Sequence, residues 1–137
     1  MGWQRVKVTA DTSVLVRGVV RDDVAQAKAV DKVLKEASLI AVPLPSLCEL
    51  VWALRRVYSF DQADIAAAIR ALLATGNVVT NRPAVEAGVA LLEAVGDFAD
   101  GVIVYEGNWL DNKTFVSFDK KAVTLLSKQG EDTRLLS

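Results

Sequence analysis

The stretch Val8-Thr9-Ala10-Asp11-Thr12-Ser13-Val14-Leu15-Val16 decides how the rest of the chain is interpreted. Its first residues predict a short apolar strand that ends at a carboxylate and two hydroxyl groups. In open α/β sheets, ligands bind in the crevice outside the carboxyl ends of the strands, so Asp11 is a candidate site residue. The same position also suits a residue that caps the following helix through Thr12 and Ser13. The choice between site and cap depends on whether other acids occupy similar positions.

The residue types exclude several classes of chemistry. Cys48 is the only cysteine, and the chain has no histidine. Disulfide scaffolds, Cys/His zinc sites and Ser-His-Asp or Cys-His catalysis are therefore excluded. Any catalysis must use carboxylates, hydroxyls, lysine and arginine, or a metal that prefers oxygen ligands, namely Mg²⁺, Mn²⁺ or Ca²⁺. The net charge of −1 gives no general sign of nucleic-acid binding, although a local basic rim can surround an acidic pocket.

The length and composition are typical of one globular domain over residues 1–137, with 52% hydrophobic and 24% charged residues. No apolar run reaches the roughly 18 residues that a membrane span needs, since Pro43, Pro45 and Glu49 interrupt the longest one. Apolar and polar residues alternate from Trp3 to Val8, which argues against a signal-peptide core. We therefore expect a cytoplasmic protein.

Short apolar runs alternate with helical periodicity along the rest of the chain. After the first strand, further strands are predicted at 39–42, 78–79, 114–118 and 134–136, helices at 22–37, 46–58, 61–74, 83–95, 97–106 and 121–128, and a polar turn at 107–113. This alternation predicts an α/β fold in which four or five short strands form a parallel sheet with helices on both faces.

Three further acids occupy positions like that of Asp11. Asp119 directly follows the fourth predicted strand, and it would approach Asp11 if the two strands were neighbours in the sheet. Glu49 lies one turn into the helix that follows the second strand. Asp100 lies one turn into the helix that begins at Asp97. We therefore expect several carboxylates at one edge of the sheet.

Each of these acids also fits an ordinary helix cap. Ser46 and Glu49 have the spacing of a capping box, and Asp97 and Asp100 have the same spacing. Acids in the first turn are favoured by the helix dipole, and Asp119 also suits the cap of the last predicted helix. Caps explain each acid separately, but they do not explain why all of them would fall on one edge of one sheet.

A gathering of carboxylates needs a cation, because like charges raise one another's pKa and destabilise the fold. Mg²⁺ takes one or two direct carboxylates and keeps several waters, one of which can serve as a nucleophile. Without histidine, activation of water by a metal is the most economical chemistry that these residues permit. A phosphodiester is the natural substrate, since its anionic oxygens complete the coordination of the metal.

Polar and basic side chains near the strand ends fit a phosphodiester substrate. Thr12 or Ser13 can hold a water or orient a carboxylate, and Ser117 shares a strand face with Asp119. The candidates for phosphate contacts, each of which also fits a solvated surface, are Arg17, Arg56, Lys120 and Lys121. The residues expected in the core or a subunit interface rather than in base stacking are Val51, Trp52, Leu54, Val57 and Tyr58.

Four segments resemble, in order and spacing, the motifs of PIN-domain proteins, and most closely those of the VapC-type ribonuclease toxins of toxin-antitoxin modules. The resemblance covers nearly the whole chain. The segments are Asp-Thr-Ser-Val-Leu-Val-Arg from Asp11, Glu49-Leu50 after a Val-Pro strand end, Asp97-Phe98-Ala99-Asp100, and Ser117-Phe118-Asp119-Lys120-Lys121.

The resemblance implies a three-layer α/β/α fold with a central parallel sheet and a homodimeric protein. It implies a Mg²⁺- or Mn²⁺-dependent endoribonuclease that a cognate VapB-like antitoxin inhibits, without selecting an RNA target. It also implies a set of catalytic, metal-binding acids, with Asp97 as an accessory and Ser13 and Ser117 as supporting polar residues. These acids are Asp11, Glu49, Asp100 and Asp119.

Two other functions are compatible with the sequence. A phosphohydrolase with an aspartyl nucleophile would also use Asp11, but such enzymes usually have a second acid two residues on, where this chain has Ser13. A PIN-like module that binds RNA or a protein without cleavage is the second alternative. The complete set of four acids argues against a module that has lost its catalytic site.

Overall fold

The structure is a computed structural model that describes residues 6–111 and 114–137. The start of the N-terminal segment and the last two residues of the turn predicted at 107–113 therefore lie outside the described residues. The chain divides into two compact units, the first ending at Asn81 and the second beginning at Arg82. The single domain over residues 1–137 stays a prediction.

The first unit alternates three short strands with four helices. Both β1 and β3 pair with β2 in parallel, which gives a sheet of order β1-β2-β3. In chain order the elements are β1 (Lys7–Thr9), α1 (Thr12–Val20), α2 (Val24–Glu36), β2 (Leu39–Ala41), α3 (Leu44–Arg56), α4 (Gln62–Leu73) and β3 (Val78–Val79).

Helical spacing of apolar side chains builds the core of this unit. Leu47, Leu50 and Leu54 of α3 recur every three or four residues and are at most 1% exposed. Ile65 and Ile69 of α4 are likewise fully buried. Asp61 caps the start of α4, since its Oδ1 accepts a hydrogen bond of 2.8 Å from the backbone N–H of Asp64.

The second unit contains three helices and two strands. The strands pair with each other in parallel. In chain order the elements are α5 (Arg82–Glu93), α6 (Phe98–Trp109), β4 (Phe115–Ser117), α7 (Lys120–Lys128) and β5 (Thr133–Leu135). The parallel strands and the seven helices of the described residues confirm the predicted α/β class. The five predicted strands are present, but they form one sheet of three strands and one of two.

Most element ends differ from the prediction by one or two residues, and three helices show differences with a clear physical reason. A helix after Asp11 was only one of two alternatives and no bounds were predicted for it, because a run of β-branched valines also suits a strand; helix α1 begins at Thr12. Helix α3 begins at Leu44 rather than at Ser46, since Pro45 is tolerated in a first helical turn. Helix α6 continues to Trp109 through residues predicted as turn, and Asn108 Nδ2 in its last turn donates to Glu131 Oε2 over 3.1 Å.

The expected core residues of α3 divide into two groups. Val51 and Leu54 are buried, as predicted, whereas Trp52 and Val57 are each 60% exposed and do not belong to the core. Tyr58, just past the helix, is partly buried. The alternative that Trp52 and Val57 lie in a subunit interface stays a prediction. Among the helices of the described ranges, not one has the length and apolar character of a membrane span.

Candidate active site

In the first unit, two hydrogen bonds tie the end of β1 to the helix that follows β2. Ser46 Oγ donates to the carbonyl oxygen of Ala10 over 3.1 Å, and Thr12 Oγ1 donates to Glu49 Oε2 over 3.3 Å. Because β1 and β2 are parallel neighbours, the loop that carries Asp11 and the helix that carries Glu49 leave the sheet at the same edge. These two acids therefore lie at one sheet edge, as the sequence predicts.

The capping box predicted for Ser46 and Glu49 is wrong. Pro43 occupies the N-cap position of α3, and the Ser46 hydroxyl contacts Ala10 rather than a backbone N–H of its own helix. Glu49 is the sixth residue of α3, counted from Leu44, and so lies in the second turn, beyond the reach of a cap. An exposed Glu at this position has no helix-capping role, which leaves a ligand-binding role open.

Asp11 occupies the N-cap position of α1, but its carboxylate makes no capping hydrogen bond. Its Oδ2 instead accepts a hydrogen bond of 2.9 Å from Ser13 Oγ. That bond is the main reason why the pKa of Asp11 lies below its usual value. The side chain is exposed. Asp11 is therefore ionised and accessible at neutral pH, as a metal ligand must be.

In the second unit, the capping interpretation is confirmed for two acids. Asp97 caps α6 by accepting a hydrogen bond of 3.2 Å from Ala99 N, and Asp119 Oδ1 caps α7 by accepting one of 3.1 Å from Ala122 N. Ser117 Oγ accepts from Asp119 N over 2.9 Å, which fixes the bend between β4 and α7. A carboxylate has two oxygens and several lone pairs, so a cap does not exclude metal binding.

Asp100 differs from the other acids because it is partly buried in the first turn of α6. Burial is the largest of the causes that raise its pKa to about 6, and the charges of Asp97 and Asp119 add to the effect. Asp97, Asp100 and Asp119, which we call the second-unit acids, are thus close enough to interact. Their mutual repulsion destabilises the unit at neutral pH unless a cation or a proton relieves it.

Two glycines set the position of the helix that carries Asp100. A Cβ atom on Gly101 would lie 2.3 Å from the carbonyl oxygen of Ala87 in α5. A Cβ atom on Gly88 of α5 would lie 2.6 Å from the ring of Phe98, which is fully buried. Helices α5 and α6 therefore pack with backbone in direct contact, and this packing fixes the first turn of α6 and its acids.

The basic candidates differ in their surroundings. Arg17 Nη1 lies 2.6 Å from Asp22 Oδ1 in an ion pair, which would have to open before Arg17 could bind a phosphate. Arg56, at the end of α3, and Lys120 and Lys121, at the start of α7, are exposed. Their contact with phosphates stays a prediction.

The acids are arranged as pairs of carboxylates, which suit a hard divalent cation, rather than as a larger cluster. Among the side chains of residues 6–111 and 114–137, no group of three or more Asp, Glu or Cys is arranged to hold a metal ion. Mg²⁺, however, is usually bound by one or two carboxylates together with waters and substrate phosphates. Asp11 with Glu49 and Asp100 with Asp119 each offer such a pair, made only of the oxygen donors that Mg²⁺ and Mn²⁺ prefer.

The fold and these acids define an α/β protein with carboxylates placed after parallel strands and in first helical turns. A comparison with protein families matches the PIN domain over residues 8–111, and the chain belongs to that family. The matched region includes four of the five acids and ends before Asp119. A search of curated proteins found no match. PIN domains are generally metal-dependent nucleases, so membership indicates nuclease-type activity on a nucleic acid.

The raised pKa of Asp100 gives a test that needs no metal. Protonation favours the folded state, because the folded pKa of about 6 exceeds the ordinary value of 3.8. The contribution of Asp100 to stability is therefore lost as the pH rises from about 4 to about 6. In EDTA, Asp100→Asn should be more stable than the wild type by about 1 kcal/mol at pH 7.5, a value that allows for solvent screening of the partly exposed carboxylate. Near pH 4 the two proteins should be equally stable.

Urea unfolding of both proteins at several pH values measures this difference. The exposed Asp132 belongs to the same unit, and Asp132→Asn is the matched control for the loss of a surface carboxylate. If the free energies of unfolding of Asp100→Asn and the wild type differed by the same amount from pH 4 to pH 7.5, the raised pKa of Asp100 would be contradicted.

Proposed function

We propose that this chain is a Mg²⁺- or Mn²⁺-dependent endoribonuclease of the VapC type, the toxin of a toxin-antitoxin pair that a cognate VapB-like antitoxin inhibits. Membership of the PIN family supports the nuclease activity. The observation that carries the proposal is the position of Asp100, which is partly buried in the first turn of α6 and close enough to Asp97 and Asp119 for their charges to raise its pKa. A partly buried carboxylate beside like charges is typical of a functional site rather than of a structural cap.

The proposal assigns metal binding to Asp11 and Glu49 in the first unit and to Asp100 and Asp119 in the second. Asp97 is an accessory acid. When bound, the cation lowers the pKa of a water molecule and stabilises negative charge that develops on the phosphodiester. In each unit the acids are negatively charged, so an anionic phosphodiester would bind there only with a cation to offset that charge.

Hydroxyl groups of this chain hold the first-unit carboxylates in fixed orientations. Ser13 donates to Asp11, and Thr12 donates to Glu49, so neither acid has to be ordered when a cation binds. In the second unit, Ser117 acts on the backbone instead, because its Oγ accepts a hydrogen bond from the N–H of Asp119. We propose these three residues as supporting residues.

Hydrolysis breaks one P–O bond of the RNA backbone and adds a water molecule across it, and the leaving oxygen takes a proton. The exposed Arg56, Lys120 and Lys121 are the proposed phosphate contacts, with Arg17 available once its ion pair with Asp22 opens. RNA as the class of substrate, the homodimer and the antitoxin are supported by the order and spacing of the VapC-like motifs, which select no particular RNA.

The test is cleavage of end-labelled RNA by the purified protein in Mg²⁺, in Mn²⁺ and in EDTA, with DNA of the same sequence as a control. We expect internal cuts in RNA with either ion, no cuts in EDTA, and loss of activity in Asp11→Asn. Sequencing the 5′ ends of the fragments would identify the target. Binding of RNA without cleavage in any divalent ion would overturn the proposal in favour of a binding module.

Asp119 allows the charge of a carboxylate to be separated from its capping role. Asparagine caps a helix about as well as aspartate, whereas alanine does not. We therefore expect Asp119→Asn to keep the wild-type stability and Asp119→Ala to lose about 1 kcal/mol of it. Both variants should lose metal-dependent cleavage, because both lack the charge.

Thermal or urea unfolding and the RNA cleavage assay measure these two properties on the same samples. Full cleavage by Asp119→Asn would show that Asp119 is a cap and not a ligand. This result would remove Asp119 from the proposed metal ligands and leave the assignment of the other three acids unaffected.

A further inference from the structure

Phe118 has a large apolar side chain that is exposed to solvent. Its residue surface is 74% exposed, and it lies in the bend between β4 and α7, directly before Asp119. Single exposed apolar residues are common on protein surfaces, so exposure alone says little. Its position beside a proposed metal-binding acid is the reason to ask what the ring contacts.

The backbone that carries the ring is held on both sides. Ser117 Oγ accepts a hydrogen bond from Asp119 N over 2.9 Å, and the Ser117 carbonyl oxygen accepts one from Leu136 N over 2.8 Å. On the other side, Asp119 Oδ1 accepts from Ala122 N over 3.1 Å. Only the two side-chain torsions of Phe118 have to be ordered when its ring makes a contact, so the entropic cost of binding through it is small.

The two ammonium groups that follow the ring favour a polyanion over an apolar protein surface, provided that a cation offsets the charge of Asp119. Lys120 and Lys121 follow within three residues, and both are exposed. A protein surface that covered Phe118 would also have to desolvate or pair these ammonium groups, which is costly. A nucleic acid offers a flat base for the ring and phosphates for the lysines, a combination that single-strand binding sites use.

We propose that Phe118 stacks on a base of the RNA substrate, next to a phosphate that Lys120 and Lys121 contact. This inference rests on the proposed nuclease function and deepens it, because it assigns a substrate-binding residue that reads no particular base. Every base has a π-face, so the ring supports affinity and placement of the strand beside Asp119 rather than sequence selection.

The test measures binding and cleavage separately. Fluorescence anisotropy with a labelled, unstructured oligoribonucleotide gives Kd for the wild type and for Phe118→Ala, Phe118→Leu and Phe118→Trp. We expect Phe118→Ala to raise Kd by roughly 5- to 150-fold, the range for one base stacked on an aromatic ring. Phe118→Leu keeps an apolar side chain without a π-face and should bind nearly as weakly, whereas Phe118→Trp should restore binding.

Trp109 offers a matched control in the same unit. It is 82% exposed, and it lies nine residues after Asp100, about 13 Å along α6, on the opposite side of that helix. Trp109→Ala should leave Kd unchanged. A second comparison uses RNAs with one abasic site at each position in turn. At one position, the abasic site should weaken binding by the wild type but not by Phe118→Ala.

Each outcome decides the inference. An unchanged Kd for Phe118→Ala, or equal sensitivity of both proteins to every abasic site, overturns it. A smaller mass for Phe118→Ala in sedimentation, with unchanged RNA binding, also overturns it and places the ring in a protein contact. If the abasic pattern holds but the wild type cuts no RNA with any divalent ion, Phe118 binds RNA and the proposed nuclease function fails instead.

Discussion

Replacing Asp100 by asparagine is expected to reduce metal-dependent RNA cleavage by more than about 100-fold while the protein stays folded. Residues that only orient a metal ligand typically contribute about 10- to 100-fold, so loss of a direct ligand should exceed that range. Asparagine keeps the size of the side chain and removes the charge that burial, Asp97 and Asp119 all disfavour. The folded protein should therefore tolerate the change even though the activity does not.

Cleavage rates at saturating Mg²⁺ and Mn²⁺, with unfolding curves for the same samples, measure both effects. Asp132→Asn removes an exposed charge from the same unit and should cleave RNA at the wild-type rate. Cleavage by Asp100→Asn within a few-fold of the wild type would show that the raised pKa of Asp100 reflects its surroundings and not a catalytic role.

Replacing Gly101 by alanine should lower the free energy of unfolding by about 2–3 kcal/mol, at the upper end of the cost of overpacking. The new methyl group would lie 2.3 Å from the carbonyl oxygen of Ala87, which belongs to the backbone of α5 and cannot rotate away. Helix α6 would have to move, and the neighbouring Asp100 would move with it. We therefore expect cleavage to fall together with stability.

Gly76→Ala is the matched control, because nothing lies within 4 Å of a Cβ atom built on Gly76. That substitution should change the free energy of unfolding by less than about 1 kcal/mol, and it should leave cleavage unchanged. Equal unfolding free energies for Gly101→Ala and Gly76→Ala would contradict the close packing of α5 against α6.

The spacing of apolar residues predicted helices and strands correctly where it matched only one of the two structures. The apolar spacing of α3 and α4 is helical throughout, and both helices were predicted with small errors at their ends. The valines of α1 fit two periods, and the deciding feature is Asp11 at its N-cap position, which the sequence equally suggests as a site residue. The strand pairings depend on contacts between distant segments, which periodicity does not encode.

The sequence identified the acids but not what each of them contacts. A capping box is a local pattern, yet Ser46 is bonded to Ala10, a residue 36 positions away, so the local interpretation of Ser46 and Glu49 failed. Asp97 and Asp119 are caps, as their sequence positions suggest. The burial that sets Asp100 apart depends on how α5 and α6 pack, and sequence spacing alone does not reveal it.

The arrangement of exposed residues was the least predictable part of the site. Trp52 was expected in the core or an interface, and at 60% exposed it does not belong to the core. Phe118 was recognised only as a position within a motif, although its exposure beside Asp119 makes it the strongest candidate for contact with a base. Exposure depends on which neighbours fold over a residue, and those neighbours come from other segments.

The binding of Mn²⁺ tests the metal-binding role of the acids most directly, since it requires neither a known RNA target nor catalysis. Electron paramagnetic resonance of free Mn²⁺, titrated with wild type, Asp11→Asn, Asp100→Asn and Asp132→Asn, gives the affinity of each protein. We predict that the wild type and Asp132→Asn bind the ion equally and that each of the other two variants binds it at least about tenfold more weakly at the pair of acids that it disrupts. Equal binding by all four proteins would contradict the assignment of Asp11 and Asp100 as metal ligands.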